Sequence, residues 1–588
     1  MRKVIISCDT KNLGEFRELC KFAKEIGATH VVVSQIEKSM WQWDANRNDP
    51  YPCWALYNPT IFKFAVPEKL KKYLPADYAE RNLETMVKRG EILKEFGIKG
   101  AFCGMEPSWL PEEVFIDHPS WRGPRVDQTR RSRAEYYVPC LDNEEVREMY
   151  SEAIEKLCRV AQIEYFEFMT KDSGSGFCWQ EGLYPGKNGP AHCRNMTTAE
   201  RIVNFLSLIQ NTANKLGLDA EVGFTHFVAP SDVDATRQLL KPKQFCGSSG
   251  VLVRNIGSIW RDLPTYPVKG IPLVGKLADE MMATADDDKN TIKITIPDMG
   301  QKTAFAFIRN GVNILRNSVS SKYEVMKETA KELIGEKYAD KLVDIWDNID
   351  RAQHTVSKIN YGGPIFVLGT VHQRWISRPL VPFPERLTDE EKAHFRPFLF
   401  QAETEKEANN LLNMQGTVWL GGESAFILIN RIFDSVKEQL DRALGILNGL
   451  ISMEDVGDYV SELKMLKTRI MMYKCILNNT VNVIRFQTIL DRTDYSVVPQ
   501  DVSPSIEEQG DIRWYKMSEV IRNEMDNTIE MIQLLEEADG EIFYCTDTEA
   551  DEDIMMIGPE IKEDLKKKLE IMRNHKYEIN ELYKSFNV

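Results

Sequence analysis

Residues 165–193 read YFEFMTKDSGSGFCWQEGLYPGKNGPAHC, and the change of character midway through this stretch decides the fold. An apolar-aromatic run of strand length breaks at Lys171, Asp172, Ser173, Gly174, Ser175 and Gly176, where glycine and serine let the backbone turn. A polar-aromatic loop carrying Trp179, Tyr184, Asn188 and His192 follows, and an amphipathic helix is expected over 198–216. Strand, acid at the strand's C-terminal tip, loop of aromatic and hydrogen-bonding side chains, helix: this is the unit from which a (β/α)8 barrel builds its active face. Asp172 is therefore the first candidate acid, set against the plainer reading in which it caps a turn.

Outward from this stretch the same alternation repeats. Strands are expected at 3–8 (KVIISC, tipped by Asp9), 29–34 (THVVVS), 100–105 (GAFCGM, tipped by Glu106), 220–225 (AEVGFT, tipped by His226), 245–253, 291–296 (TIKITI, leading to Asp298) and 365–369, with His372, Arg374 and Trp375 just beyond the last. Helices are expected between them, among others at 13–26 behind an Asn12 cap, at 77–96 and at 143–160. Eight strands alternating with helices predict an α/β fold, a TIM-type (β/α)8 barrel over 1–385. Three prolines within 378–384 interrupt the pattern. Beyond them long amphipathic stretches at 403–415, 423–449, 454–490, 511–538 and 559–586 predict an all-α helical domain over 386–588, whose Met and Leu stripes are read as core. Its apolar surface could also support a homodimer.

The bulk properties bound the partners. A net charge of −15 over 588 residues disfavours nucleic acid and anionic membrane surfaces, which need clustered positive charge. No run approaches the ~20 apolar residues of a membrane span, and the MRKVIISC start has no leader-like apolar region, so a cytoplasmic chain or a processed secreted form is expected. Eleven cysteines without a CxxC pair predict reduced thiols and no structural zinc site. No cofactor and no metal are expected.

Three groups of residues carry candidate chemistry. Asp9, Glu106, Asp172 and Asp298 all stand at expected strand tips, and glycosidic cleavage needs two carboxylates, one to protonate the leaving oxygen and one to act as nucleophile or base. The loop 115–133, FIDHPSWRGPRVDQTRRSR, crowds five arginines into an otherwise acidic chain. Guanidinium forks grip carboxylates, so Arg122 and Arg125, with Asp127 beside them, are expected to bind an acidic substituent, while Arg130, Arg131 and Arg133 pair with nearby acids to brace the loop. Trp179, Tyr184 and Trp375 would pack against sugar faces, with His226, His372 and Arg374 as hydrogen-bonding groups. A metal centre made of Asp9, Glu106, His226 and Asp298 is the sharper alternative, without HxH or HExxH spacing to support it.

The segments EPSWLPEEVFIDHPSWRGPRVD (106–127), KDSGSGFCW (171–179), LYPGKNGP (183–190) and VLGTVHQRWISRPLVPFP (367–384) together resemble a group of bacterial glycoside-hydrolase-like barrel proteins. More distantly, the chain is similar to the barrels of hexosaminidases, α-glucuronidases and inverting sialidases. In that group position 171 is commonly Asn rather than Lys. The resemblance implies cleavage of a terminal glycosidic bond in a carbohydrate with an acidic or N-acetylated sugar, Asp172 and Glu106 being the leading carboxylates. A metal-dependent sugar isomerase or lyase on the same barrel is the rival enzyme class, and a carbohydrate-binding protein without convergent carboxylates is the non-enzymatic one.

Overall fold

The structure, a computed structural model, describes residues 3–36, 59–74, 76–107, 109–125, 137–170, 176–180, 187–226, 228, 230–247, 253–256, 267–285, 291–300, 302–316, 321–356, 375–395, 422–491, 512–543 and 557–583. The chain divides into two compact units. The first comprises 1–259, 280–305 and 312–318; the second comprises 260–279, 306–311 and 319–588.

The first unit is built on ten strands: β1 (Lys3–Asp9), β2 (His30–Val32), β3 (Lys99–Met105), β4 (Arg122–Arg125), β5 (Tyr137–Pro139), β6 (Ile163–Met169), β7 (Glu221–His226), β8 (Gln244–Cys246), β9 (Val253–Ile256) and β10 (Thr291–Asp298). β4 and β5 pair as a separate antiparallel ribbon. The other eight form one parallel sheet in the order β8-β7-β6-β3-β2-β1-β10-β9. That is the cyclic order of a (β/α)8 barrel with β8 and β9 as its two ends, and among the described residues no pairing joins those two.

Side chains show that the sheet curls round on itself. Four interstrand steps separate β10 from β6, about 19 Å in a flat sheet, yet Lys293 Nζ lies 2.7 Å from Glu167 Oε2. Likewise the Thr291 hydroxyl donates to Glu221 at 2.6 Å, and Lys3 pairs with the same carboxylate at 3.0 Å. Ile5, Val32, Ala101, Tyr165 and Phe245, from five strands, pack as one core inside the curl. Gly223 makes this possible on β7, since a Cβ there would stand 2.3 Å from the Phe245 ring. By strand alternation the next residues along face outward, and Phe102, Phe166, Phe168 and Phe224 form the aromatic layer beneath the helices.

Helix boundaries follow local chemistry. Helix α1 (Leu13–Glu25) starts where the Asn12 side chain accepts from the Glu15 amide. Helix α2 is Ala76–Phe96, and α3 is the short Glu112–Asp117. Helix α4 (Glu144–Ala161) is capped by Asn143 and carries two acids in its first turn; α5 (Thr198–Asn214) opens on a capping box between Thr197 and Glu200. At Gly90 a Cβ would stand 2.2 Å from the Val160 carbonyl, so glycine permits the close approach of α2 to α4.

Expected and observed elements agree for the first five strands of the sheet. The single strand expected at 245–253 is two, β8 and β9, broken by a turn at Gly247, which takes φ +96°. The strand expected at 291–296 and read as the seventh runs on to Asp298 and pairs with β1 as the eighth in chain order of the described sheet. The eight strands of the sheet among the described residues lie within 3–298, and the stretch 365–369 lies outside the described residues.

The second unit is helical. Helices Ala339–Val356, Gly422–Ile451, Val460–Asp491, Ile512–Glu537 and Ile561–His575 pack each on the next. The helix expected to begin at 454 begins at Val460, because Gly457 adopts φ +76° and a 3-10 turn precedes the helix. A fully buried ionic network sits in this core. Lys568 pairs with Glu524, both 0% exposed, Asn479 and Asn482 each donate to Glu524 at 2.7 Å, and Lys568 donates to the Ile376 carbonyl at 2.7 Å. The expected helix at 403–415 lies outside the described residues. No described helix is long and apolar enough to cross a membrane.

Candidate active site

Parallel strands bring their C-terminal ends to one side of a sheet, and the register shows which residues share that side. Asp9 and Asp298 are direct partners across β1 and β10, after a bulge at Cys8 and Asp9 shifts the pairing past Pro297. Met105, Met169 and His226 are aligned across β3, β6 and β7. Glu106 continues this line, its amide donating to the Met169 carbonyl. Four of the expected tip residues thus stand at the same end: Asp9, Glu106, His226 and Asp298.

They are not equivalent. Asp9 lies at odd parity with Ile5, on the inner face of β1, and is half-buried. Its charge is felt by neighbours: the Cys8 thiol is pushed well up by burial, then by Asp9 and Asp298. From α2, Arg89 donates to the Val33 and Gln35 carbonyls at 2.9 and 2.6 Å. Burial lowers this guanidinium to about 10, against the opposing pull of Asp9. Asp298 is 9% exposed and accepts the Gly300 amide at 2.8 Å, a local turn that sets the direction of the loop after β10.

Glu106 is the most enclosed of the three acids. It is 0% exposed, and it accepts the Ile61 amide on Oε1 at 2.7 Å and the Tyr150 hydroxyl on Oε2 at 2.8 Å. Alternation puts residue 106 on the face of Phe102, toward α4, rather than on the inner face of Ala101. Trp375 is likewise enclosed, 1% exposed within the helical unit, its carbonyl accepting from Asn479 at 3.1 Å.

The loop after β6 is tightly organised where it is described. Trp179 takes φ +62°, donates its amide to the Asn188 carbonyl at 2.7 Å and its indole N–H to the Pro190 carbonyl at 2.9 Å, and carries the Arg194 guanidinium 5.2 Å from its ring. Asn188 also accepts from the Arg125 amide at 2.5 Å, tying this loop to β4. Arg122 is exposed, its guanidinium 5.0 Å from the Tyr137 ring. Beneath lies Arg201 of α5, 1% exposed, which donates to the Cys178 and Cys193 carbonyls at 2.5 and 2.9 Å and to Asp142 at 2.8 Å. Asp127, Asp172, Tyr184, His372 and Arg374 lie outside the described residues.

Some polar residues near this site were not singled out by the sequence. Glu167 and Lys293 face each other inside the curl, and the Tyr165 hydroxyl donates to Glu167 at 2.8 Å. Burial alone would depress the Lys293 ammonium, but the Cys103 thiol and the Glu167 carboxylate together hold it above the ordinary lysine value. Alternation along YFEFM, which sets Tyr165, Glu167 and Met169 on one face, was the signal for Glu167.

No protein-family model and no curated protein matches the sequence. Among solved structures the chain is similar to a GH138 enzyme targeting pectin rhamnogalacturonan II, with 10% identity and a TM-score of 0.52 over 99% of this chain and 67% of that one. It matches a Thermobaculum terrenum O-GlcNAc hydrolase at 10% identity and a TM-score of 0.36, over 98% of this chain and 96% of that one. A GH36 alpha-galactosidase from Geobacillus stearothermophilus matches at 14% identity and 0.31, over 54% and 41%. At such identities the likeness is one of fold, and the first of the three carries it: the chain shares the fold of a carbohydrate-active barrel enzyme.

Proposed function

We propose that the protein is a glycoside hydrolase that works at the C-terminal ends of the parallel strands. The observation that carries this reading is the pair Asp9 and Asp298, two carboxylates side by side on adjacent strand ends of a barrel-ordered sheet. The fold likeness to a GH138 enzyme supports it. Asp172, which the sequence puts just after β6, is the third acid of the proposed site, and two of these three supply the proton donor and the nucleophile or base. Glu106 serves this site as a positioning residue, holding the β3 end against Ile61 and α4. Arg122 and Arg125 on β4 favour an acidic sugar, because a charge-assisted hydrogen bond to a carboxylate contributes roughly 1.5–3 kcal/mol.

The experiment is a panel of nitrophenyl and methylumbelliferyl glycosides, with uronides, sialosides and N-acetylhexosaminides, plus oligosaccharides from rhamnogalacturonan II. The wild type should release sugar from at least one acidic substrate. At least two of Asp9→Asn, Asp172→Asn and Asp298→Asn should each lower kcat by about 10²-fold or more with the fold retained, as expected for loss of a group acting in the transition state. No hydrolysis across the panel, or full activity in all three of Asp9→Asn, Asp172→Asn and Asp298→Asn, would overturn the proposal.

A further inference from the structure

Three cysteines far apart in sequence meet at the base of the loop after β6. Cys140 follows β5, Cys178 lies in that loop, and Cys193 closes a 3-10 turn ahead of α5. Their sulfurs all lie within 4.8 Å of one another, and the residues are 0%, 1% and 4% exposed. Cys178 Sγ is 3.8 Å from Cys140 Sγ, and His192 Nε2 stands 3.4 Å from Cys140 Sγ.

The Cys140–Cys178 and Cys140–His192 distances match edges of a coordination tetrahedron, and the Cys193 sulfur lies close enough to join them with a small shift. With Zn–S near 2.3 Å and Zn–N near 2.0–2.1 Å, tetrahedral geometry sets S···S at about 3.8 Å and S···N at about 3.5 Å. A disulfide would need about 2.05 Å. As plain thiols the three make long, weak contacts, Cys178 to Cys140, Cys140 to His192 and Cys193 to the Pro190 carbonyl at 3.4 Å, a poor use of buried polar groups. We propose that Cys140, Cys178 and Cys193 bind one zinc ion, and that the exposed His192 imidazole, which now reaches only Cys140, turns in to complete a structural site that clasps the loop after β6 to β5 and to the start of α5.

The surroundings suit a metal cluster. Three thiolates and Zn²⁺ carry a net charge of −1, and the buried Arg201 guanidinium donates to the backbone carbonyls of two of the ligands, Cys178 and Cys193. Such outer contacts orient ligands. A set of three sulfurs and one imidazole, with no open position, selects zinc over the oxygen-loving cations. Trp179 and Asn188 sit between the ligands in sequence, so the ion would fix the segment bearing them. The site is independent of the glycosidase reading, and its test uses metal content rather than activity.

The full chain is to be purified under reducing conditions from zinc-supplemented medium and assayed by plasma mass spectrometry. About one zinc per chain is expected, released stepwise by a mercurial thiol reagent and accompanied by a fall in Tm. Cys178→Ser and Cys193→Ser should lose the ion, while Cys20→Ser and Cys158→Ser keep it. Because the ligand variants could misfold, the wild type is also to be loaded with Co²⁺, which should give thiolate-to-cobalt charge transfer and the strong visible bands of a tetrahedral site. Less than about a fifth of a zinc per chain with all thiols titratable, a disulfide among Cys140, Cys178 and Cys193 in a non-reducing peptide map, an octahedral cobalt spectrum, or equal zinc loss in the control variants would each overturn the proposal.

Discussion

Glu106 and Asp9 are both acids at the C-terminal end of a parallel strand, and strand parity turns them to opposite faces of the sheet. Asp9 shares the inner face of β1 with Ile5, whereas Glu106 shares the outer face of β3 with Phe102 and is enclosed by Ile61 and Tyr150. Glu106→Gln should therefore act on stability. It keeps the shape but leaves one of two buried acceptors mismatched, at a cost of about 1–3 kcal/mol, measured as a drop in urea midpoint with kcat per folded molecule unchanged. A large fall in kcat at unchanged midpoint would restore Glu106 to the catalytic pair that the sequence suggests. The alternation in GAFCGME already contained this distinction. What it could not contain is the arrival of Ile61 and Tyr150 from distant segments to cover the carboxylate. The cysteines repeat the lesson, since metal spacing rules depend on short local loops, and Cys140, Cys178 and Cys193 are gathered by three separate connections.

At the scale of elements, the Asn12 cap was legible in advance, and Asn143 and Thr197, not read as caps from the sequence, work by the same local chemistry. Asn12, Asn143 and Thr197 satisfy amides within the next turn, so their effect is local and readable. The division of the 245–253 run into β8 and β9 was readable and was passed over, because Gly247, Ser248, Ser249 and Gly250 interrupt the apolar composition with a turn signal. The ionic network of the helical unit was hidden, as Glu524 and Lys568 sit in polar-looking sequence and only tertiary packing buries them. Burial lowers the Lys568 ammonium, against the pull of Glu524. Lys568→Met alone should destabilise by roughly 3–5 kcal/mol, by stranding a buried carboxylate, while the double change with Glu524→Leu should recover much of that loss. Denaturant melts of both variants check this, and a double variant no more stable than the single one would show that the network contributes more than its charges.

For the molecule as a whole, acid sensitivity has an identifiable source at the start of β2. His30 is 2% exposed, and burial, then Lys3 and Lys99, push its imidazole down to about 3. Glu164 stands 3.8 Å away and would act the other way, but Lys99 lies 3.2 Å from that carboxylate and offsets it, so the downward direction holds. The unfolded chain takes up a proton near pH 6.5 that the folded chain refuses. Stability is therefore fully present above about pH 6.5 and falls as pH drops toward 3, by at most about 1.4 kcal/mol per pH unit. His30→Gln should flatten the decline of urea midpoint between pH 6 and pH 4.5 relative to wild type, and identical slopes would refute the assignment. The barrel order itself has a further consequence, for synthesis. One edge of β1 pairs with β2 soon after it is made, but the other pairs with β10, which begins only at Thr291. At ribosomal speeds of about 5–20 residues per second, the strand KVIISC waits roughly 15–60 s with its second edge bare. During that interval each nascent chain offers its neighbours on the polysome a ready template, so the yield of soluble protein depends on how densely ribosomes load the message.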